Sequence, residues 1–176
     1  MLDLGYELCR KSNAWIMREI AKLRPDTVVL FAGWGFYEKD WASDAAREKL
    51  LATIDALEEA GVGKIVFIGP APKWKGSLPI QMYDAWAHGH PFHEVPARLA
   101  TGLEPLAAID DGTLRADLQA RRVTYVSAID FFCNADGCLT HAPEGAMHLV
   151  TWDYGHLTTD GATLLARKLA EDRVLP

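Results

Sequence analysis

The chain has 176 residues, 49% of them apolar and 24% charged, with a net charge of −6 and no cationic run. That length suits a single domain with a buried core, and the charge argues against a nucleic-acid surface or an anionic membrane patch. No apolar run approaches the ~20 residues that span a bilayer, and Met1-Leu2-Asp3-Leu4-Gly5 lacks the basic start and apolar stretch of an export signal.

Taken in order, Leu4 to Leu23 reads as an amphipathic helix with Leu8, Trp15, Ile16, Ile20 and Leu23 on one face. Arg24-Pro25-Asp26 stops it. Thr27 to Ala32 is a continuous apolar run of strand length, the pattern of a strand buried on both faces. Ser43 is placed to cap a helix running to Ala60, which Gly61 and Gly63 end. Lys64 to Gly69 is a second buried strand. Pro70 to Pro91, rich in Pro, Trp and His, reads as irregular, and Glu94 to Ala120 as mainly helical. Val123 to Val126 is a third strand and Gly161 to Glu171 a closing helix. Helix alternating with strand predicts a parallel sheet with helices on both faces, a three-layer α/β/α sandwich of flavodoxin-like type. In such folds the site forms at the carboxyl ends of the strands. No Gly-rich phosphate loop follows any strand, which disfavours a nucleotide-binding or regulatory flavodoxin-like domain.

Cys133 and Cys138 flank an Asp136-Gly137 turn that would bring their sulfurs together. Two free thiols remain the alternative, and no second Cys pair at zinc spacing supports a metal. Cys9 is left over, either a small buried apolar residue or half of a bridge to another chain. His88, His90 and His93 share a loop with zinc-like spacing, but only Glu94 adjoins them, and solvated loop histidines fit better; no metal is expected. Trp34, Trp41, Trp74 and Trp86 flank the presumed site, either to stack on sugar rings or to anchor core and loops.

The densest chemical signal is Trp152-Asp153-Tyr154-Gly155-His156-Leu157-Thr158 with Gly161-Ala162 behind it. A His general base needs a carboxylate to fix its tautomer and hold the imidazolium. Spacing of three on a turn lets Asp153 reach His156. Asp-x-x-His alone is short and frequent; the apolar Leu149-Val150 before it and the helix start after it favour a catalytic pair over a plain turn.

These residues resemble the SGNH domain found at the C-terminus of bacterial membrane O-acyltransferases, the group that acetylates O-antigen and other cell-envelope glycans. The matching pieces are Cys9 with Asn13, Pro25 to Leu30 with Trp34, Ile68-Gly69-Pro70-Ala71-Pro72, Cys133 to Cys138, and Asp153, His156, Leu157, Gly161 and Ala162. The resemblance spans nearly all of residues 1–176 as one domain. It implies an extracytoplasmic location, a Cys133–Cys138 disulfide, and O-acyl transfer or ester hydrolysis on envelope carbohydrate with no cofactor. It also implies a membrane acyltransferase partner domain in the parent protein. His156 would be the general base and Asp153 its orienter.

Two family features are absent from the sequence. It holds no Gly-Asp-Ser turn, so the nucleophile and its strand, the first of the sheet, are expected upstream. It holds no Gly-x-Asn-Asp block either; Gly33-Trp34-Gly35 takes that strand end, leaving Gly33, Trp34 and Gly69 as oxyanion or substrate-pocket candidates. Of the four serines, Ser12 falls in a helix, Ser43 suits a cap and Ser77 lies in the irregular segment; Ser127, at a strand end, is the best placed to replace the nucleophile but fits a helix cap better. The competing reading is a non-catalytic remnant or binding module of the same fold. Lacking its first strand, the sheet would carry an unpaired apolar edge along Val28 to Ala32 and tend to self-associate.

Overall fold

The computed structural model describes residues 7–32, 44–89, 95–105 and 112–175. The elements are α1 Glu7–Leu23, β1 Thr27–Leu30, α2 Asp44–Glu59, β2 Lys64–Ile68, α3 Leu78–Gly89, β3 Arg98–Leu99, α4 Gly112–Ala120, β4 Thr124–Val126, α5 Ala128–Phe132, β5 Cys133–Asn134, β6 Gly137–Leu139 and α6 Thr159–Glu171. They divide into two compact units, one of residues 1–68 with 108–126 and one of residues 69–107 with 127–176.

The first unit is a parallel sheet in the order β1-β2-β4. Thr27 pairs with Lys64 and Leu30 with Phe67 on one side of β2, and Val66 with Thr124 and Ile68 with Val126 on the other. This is the α/β fold with a parallel sheet that the helix–strand alternation predicts. The central strand is the buried one: Ile65, Val66, Phe67 and Ile68 are in the core with Leu50, Ile54 and Leu57 of α2 and Leu114 and Leu118 of α4. Gly61, at φ 84°, turns the chain out of α2 while its N–H and that of Val62 return to the carbonyls of Glu58 and Leu57. Arg47 to Asp117 (2.6 Å) and Arg121 to Asp55 (2.7 Å) tie α2 to the α4 segment.

Two expectations fail here. β1 is not buried on both faces: Val29 is exposed, as is Phe31 just beyond it. Among the described residues only β2 pairs with β1, so an apolar run that predicts two covered faces has one neighbour. The apolar stripe of α1 is likewise open, with Leu8, Trp15, Ile16 and Leu23 all exposed. The helix forms as predicted from its register of apolar residues and breaks at Arg24, whose φ is 45°, ahead of Pro25. Ser43 lies outside the described residues.

The second unit contains a small antiparallel sheet, β3-β6-β5, and helices α3, α5 and α6. Cys133 and Cys138 face each other across the β5–β6 hairpin and are disulfide-bonded. Gly137 is obligatory there: its φ is 112°, and a Cβ would stand 2.3 Å from the Leu99 backbone. Arg98 donates to the carbonyls of Phe132 and Gly137, both at 2.9 Å, fixing the hairpin to α5. Residues 78–89 are helical, not irregular, because Leu78 and Met82 give one buried row that the flanking Pro, Trp and His residues obscure in the sequence. Among the described residues between Glu94 and Ala120 only α4 is helical; those before it run through β3 and open chain. Helix α6 starts at Thr159, two residues earlier than Gly161.

Candidate active site

Asp153 and His156 lie on a turn that its own neighbours hold shut. Thr151 bridges Leu157 in antiparallel fashion, and the Trp152 N–H donates to the His156 carbonyl at 3.2 Å. Three residues of the Leu-Thr…Gly-Ala signature have a task each. Leu157 supplies the bridge to Thr151. The Thr158 hydroxyl donates to the Leu149 carbonyl and accepts the Gly161 N–H at 3.0 Å, which caps α6. Gly161 lets the first turn of α6 approach the incoming strand: a Cβ there would sit 2.2 Å from the Val150 oxygen. From the other side, the Trp74 N–H donates to the Tyr154 carbonyl at 2.6 Å and the Leu78 N–H to the Asp153 carbonyl at 3.0 Å. The turn is therefore fixed at both stems and along its outer run before the Asp153 or His156 side chain acts.

Within it the Asp153 carboxylate is fully engaged. Oδ1 accepts the N–H groups of Gly155 (2.9 Å) and His156 (2.8 Å), and Oδ2 accepts from His156 Nδ1 at 2.7 Å. Partial burial pushes the Asp153 carboxyl up, but the two backbone N–H groups and the His156 ring outweigh it and hold it below the ordinary aspartate value. A carboxylate on Nδ1 leaves Nε2 as the basic nitrogen, the tautomer a general base requires. Burial first, and the Asp153 charge second, raise the Tyr154 phenol above its usual value, so that it stays protonated at neutral pH.

The structure thus brings Asp153 and His156 together in the geometry of a base and its orienter. Gly69 is buried directly after β2, and the anchors of the turn come from Trp74 and Leu78 rather than from it. Gly33 and Trp34 lie outside the described residues. Trp74 is 1% exposed and anchors the core, so it offers no surface to a sugar. Trp41 is outside the described residues, and Trp86 pairs with Tyr83 on α3 (centroids 5.8 Å apart). Ser127 caps α5 by accepting the Asp130 N–H at 3.1 Å, and Ser77 sits at the head of α3 with its hydroxyl toward the Ile80 N–H. Of the histidine cluster, His90 and His93 are outside the described residues and His88 contacts the Asp84 carbonyl from the end of α3. Among the described residues no cluster of three metal-ligating side chains occurs.

A pocket of about 320 Å³ opens in the same unit, with apolar walls from Pro72, Leu103, Ile129 and the disulfide pair. Pro72 belongs both to that pocket and to the surroundings of the turn, since its carbonyl lies 3.8 Å from where a Cβ on Gly155 would stand. Neither this pocket nor the two aromatic rings flanking His156 was legible in the sequence. Trp152 and Tyr154 stand next to the pair, yet nothing in their spacing says that both rings turn toward the imidazole.

Over residues 2–171 the chain matches the family described as SGNH domain (fused to AT3 domains). No curated protein matches it. Among solved structures it is similar to the periplasmic domain of the lipopolysaccharide acetyltransferase of Salmonella ser. Paratyphi A, with a TM-score of 0.75 and 26% identity. The similarity covers 93% of this chain and 62% of that one, so the chain spans less than two thirds of its structural neighbour.

Proposed function

We propose, from the premise that the chain belongs to the family of SGNH domains fused to AT3 domains, that it is the acyl-transferring or ester-cleaving part of a protein that modifies envelope carbohydrate outside the cytoplasm. Among the described residues no helix is long and apolar enough to cross a membrane, so any membrane acyltransferase partner is carried on other sequence. The observation that carries the reading is the Asp153–His156 hydrogen bond on a turn closed by Thr158 and Gly161.

In this mechanism Asp153 holds His156 with Nδ1 protonated, and Nε2 takes the hydroxyl proton of a serine as its oxygen attacks the acyl carbonyl. The tetrahedral intermediate collapses, the proton passes from Nε2 to the departing group, and the acyl group stays on the serine. A sugar hydroxyl, or water, then gives its proton to Nε2 and attacks the acyl-serine; the proton returns to the serine as the ester breaks. No cofactor enters. None of the described serines is bonded to the pair, and the nucleophile is read as lying on upstream sequence. Ser77 and Ser127 head helices, and a Gly-Asp-Ser turn on an upstream strand beside β1 fits both the missing motif and the edge of β1 that is open among the described residues.

An acyl-ester assay tests this. The 176-residue chain is expected to stay near background. A longer protein carrying the upstream Gly-Asp-Ser is expected to turn over, and His156→Ala to lower that rate about a thousandfold or more. Activity in the longer protein that His156→Ala leaves intact would remove the pair from catalysis and favour the binding-module reading.

A further inference from the structure

The His156 side chain is 53% exposed and its carboxylate partner is only three residues away on the same turn. A bond to a half-exposed imidazole contributes little order by itself, because water competes for the ring. A general base must nonetheless be held in line with its substrate, since small displacements cost large factors in rate. The neighbouring rings provide what the hydrogen bond does not. The Trp152 indole stacks on the imidazole, with centroids 5.8 Å apart and planes 24° from parallel. Tyr154 meets the same ring edge-to-face, at 5.4 Å and 64°. Both rings come from the turn that bears the pair, and its closure fixes the backbone from which they project: Trp152 through its N–H to the His156 carbonyl, Tyr154 through its carbonyl to the Trp74 N–H.

From this geometry we infer that Trp152 and Tyr154 are positioning residues for His156, an aromatic clamp of one stacked and one edge-on ring that holds the imidazole against Asp153. The inference rests on the reading of His156 as the base. The clamp has a consequence beyond orientation. When Nε2 takes a proton, the ring becomes a cation lying over an indole face, whose negative quadrupole stabilises it. Tyr154 stays neutral at working pH, so it packs on the ring without adding a second negative charge beside Asp153.

The test has two arms. In the NMR spectrum of the 176-residue chain, the carbon-bound imidazole protons of His156 are expected to be displaced by the ring current of Trp152. Trp152→Leu should remove that displacement and Trp152→Phe should keep part of it. In the longer, active protein, Trp152→Leu is expected to lower kcat about tenfold with KM nearly unchanged, and Trp152→Phe to restore most of the rate. Imidazole resonances that Trp152→Leu does not move would overturn the clamp. So would a raised KM for the sugar acceptor at constant kcat, which would make Trp152 a sugar-stacking surface instead. The NMR arm needs no catalysis, so its failure is separable from failure of the proposed reaction, which His156→Ala reads directly.

Discussion

Helices α1 and α6 are both amphipathic by sequence, and they end in opposite situations. In α6, Gly161, Leu165 and Leu169 are buried, and the helix start is pressed so closely on Val150 that only glycine fits. In α1, Leu8 is 79% and Leu23 75% exposed, with Trp15 and Ile16 open beside them. The same pattern of apolar residues therefore yields a packed helix in one unit and an uncovered one in the other. The difference lies in the partner available. Helix α6 closes the turn that carries Asp153 and His156; α1 leads into β1, which pairs with β2 alone among the described residues. An exposed apolar stripe next to a strand with one open edge among the described residues is a surface that another element could cover.

The largest expected effect comes from breaking the packed side. Gly161→Ala drives a methyl group into the Val150 carbonyl, and should cost about 3 kcal/mol, or roughly 10 °C in melting temperature. A melting curve unchanged by that substitution would show that the start of α6 is not tightly held. Next comes the pair itself. The Asp153 carboxyl lies below its ordinary value, so its stabilisation is present above the unfolded value of about 3.9 and is lost as pH falls through the folded one. Asp153→Asn should lower the melting temperature at pH 7 by about 3 °C, with the gap closing as pH falls through the folded value. A gap that persists in acid would assign the loss to packing instead of charge. The smallest effect belongs to the open side. Trp15→Ser with Leu23→Ser should shift the stability of this chain by no more than about 0.5 kcal/mol while reducing its self-association in light scattering. A loss of several kcal/mol would mean that α1 is covered in solution.

The sequence was most readable where one local rule decides the outcome. Ile65 to Ile68 form a strand because a β-branched, apolar run has few alternatives, and Asp153 reaches His156 because three residues on a tight turn span that distance. It was least readable where the outcome depends on something distant. The run Thr27 to Leu30 looks like a central strand, but its burial is set by neighbours that the run does not encode. Helix α3 escaped notice because Ile80 and Tyr83 stay exposed and blur the buried row of Leu78 and Met82. Strands of two or three residues, such as β3 and β5, carry no period to read. Ring orientation around His156 is likewise a tertiary fact, fixed by the hydrogen bonds of the turn rather than by residue spacing.

The central claim is that Asp153 and His156 serve a serine carried on an upstream strand. A serine-reactive fluorophosphonate, applied to the longer protein and located by peptide mass spectrometry, tests it most directly. The account predicts one adduct, on the serine of the Gly-Asp-Ser turn, forming at least about a thousandfold more slowly in His156→Ala. An adduct on Ser77 or Ser127, or labelling of the upstream serine at the same rate without His156, would contradict it.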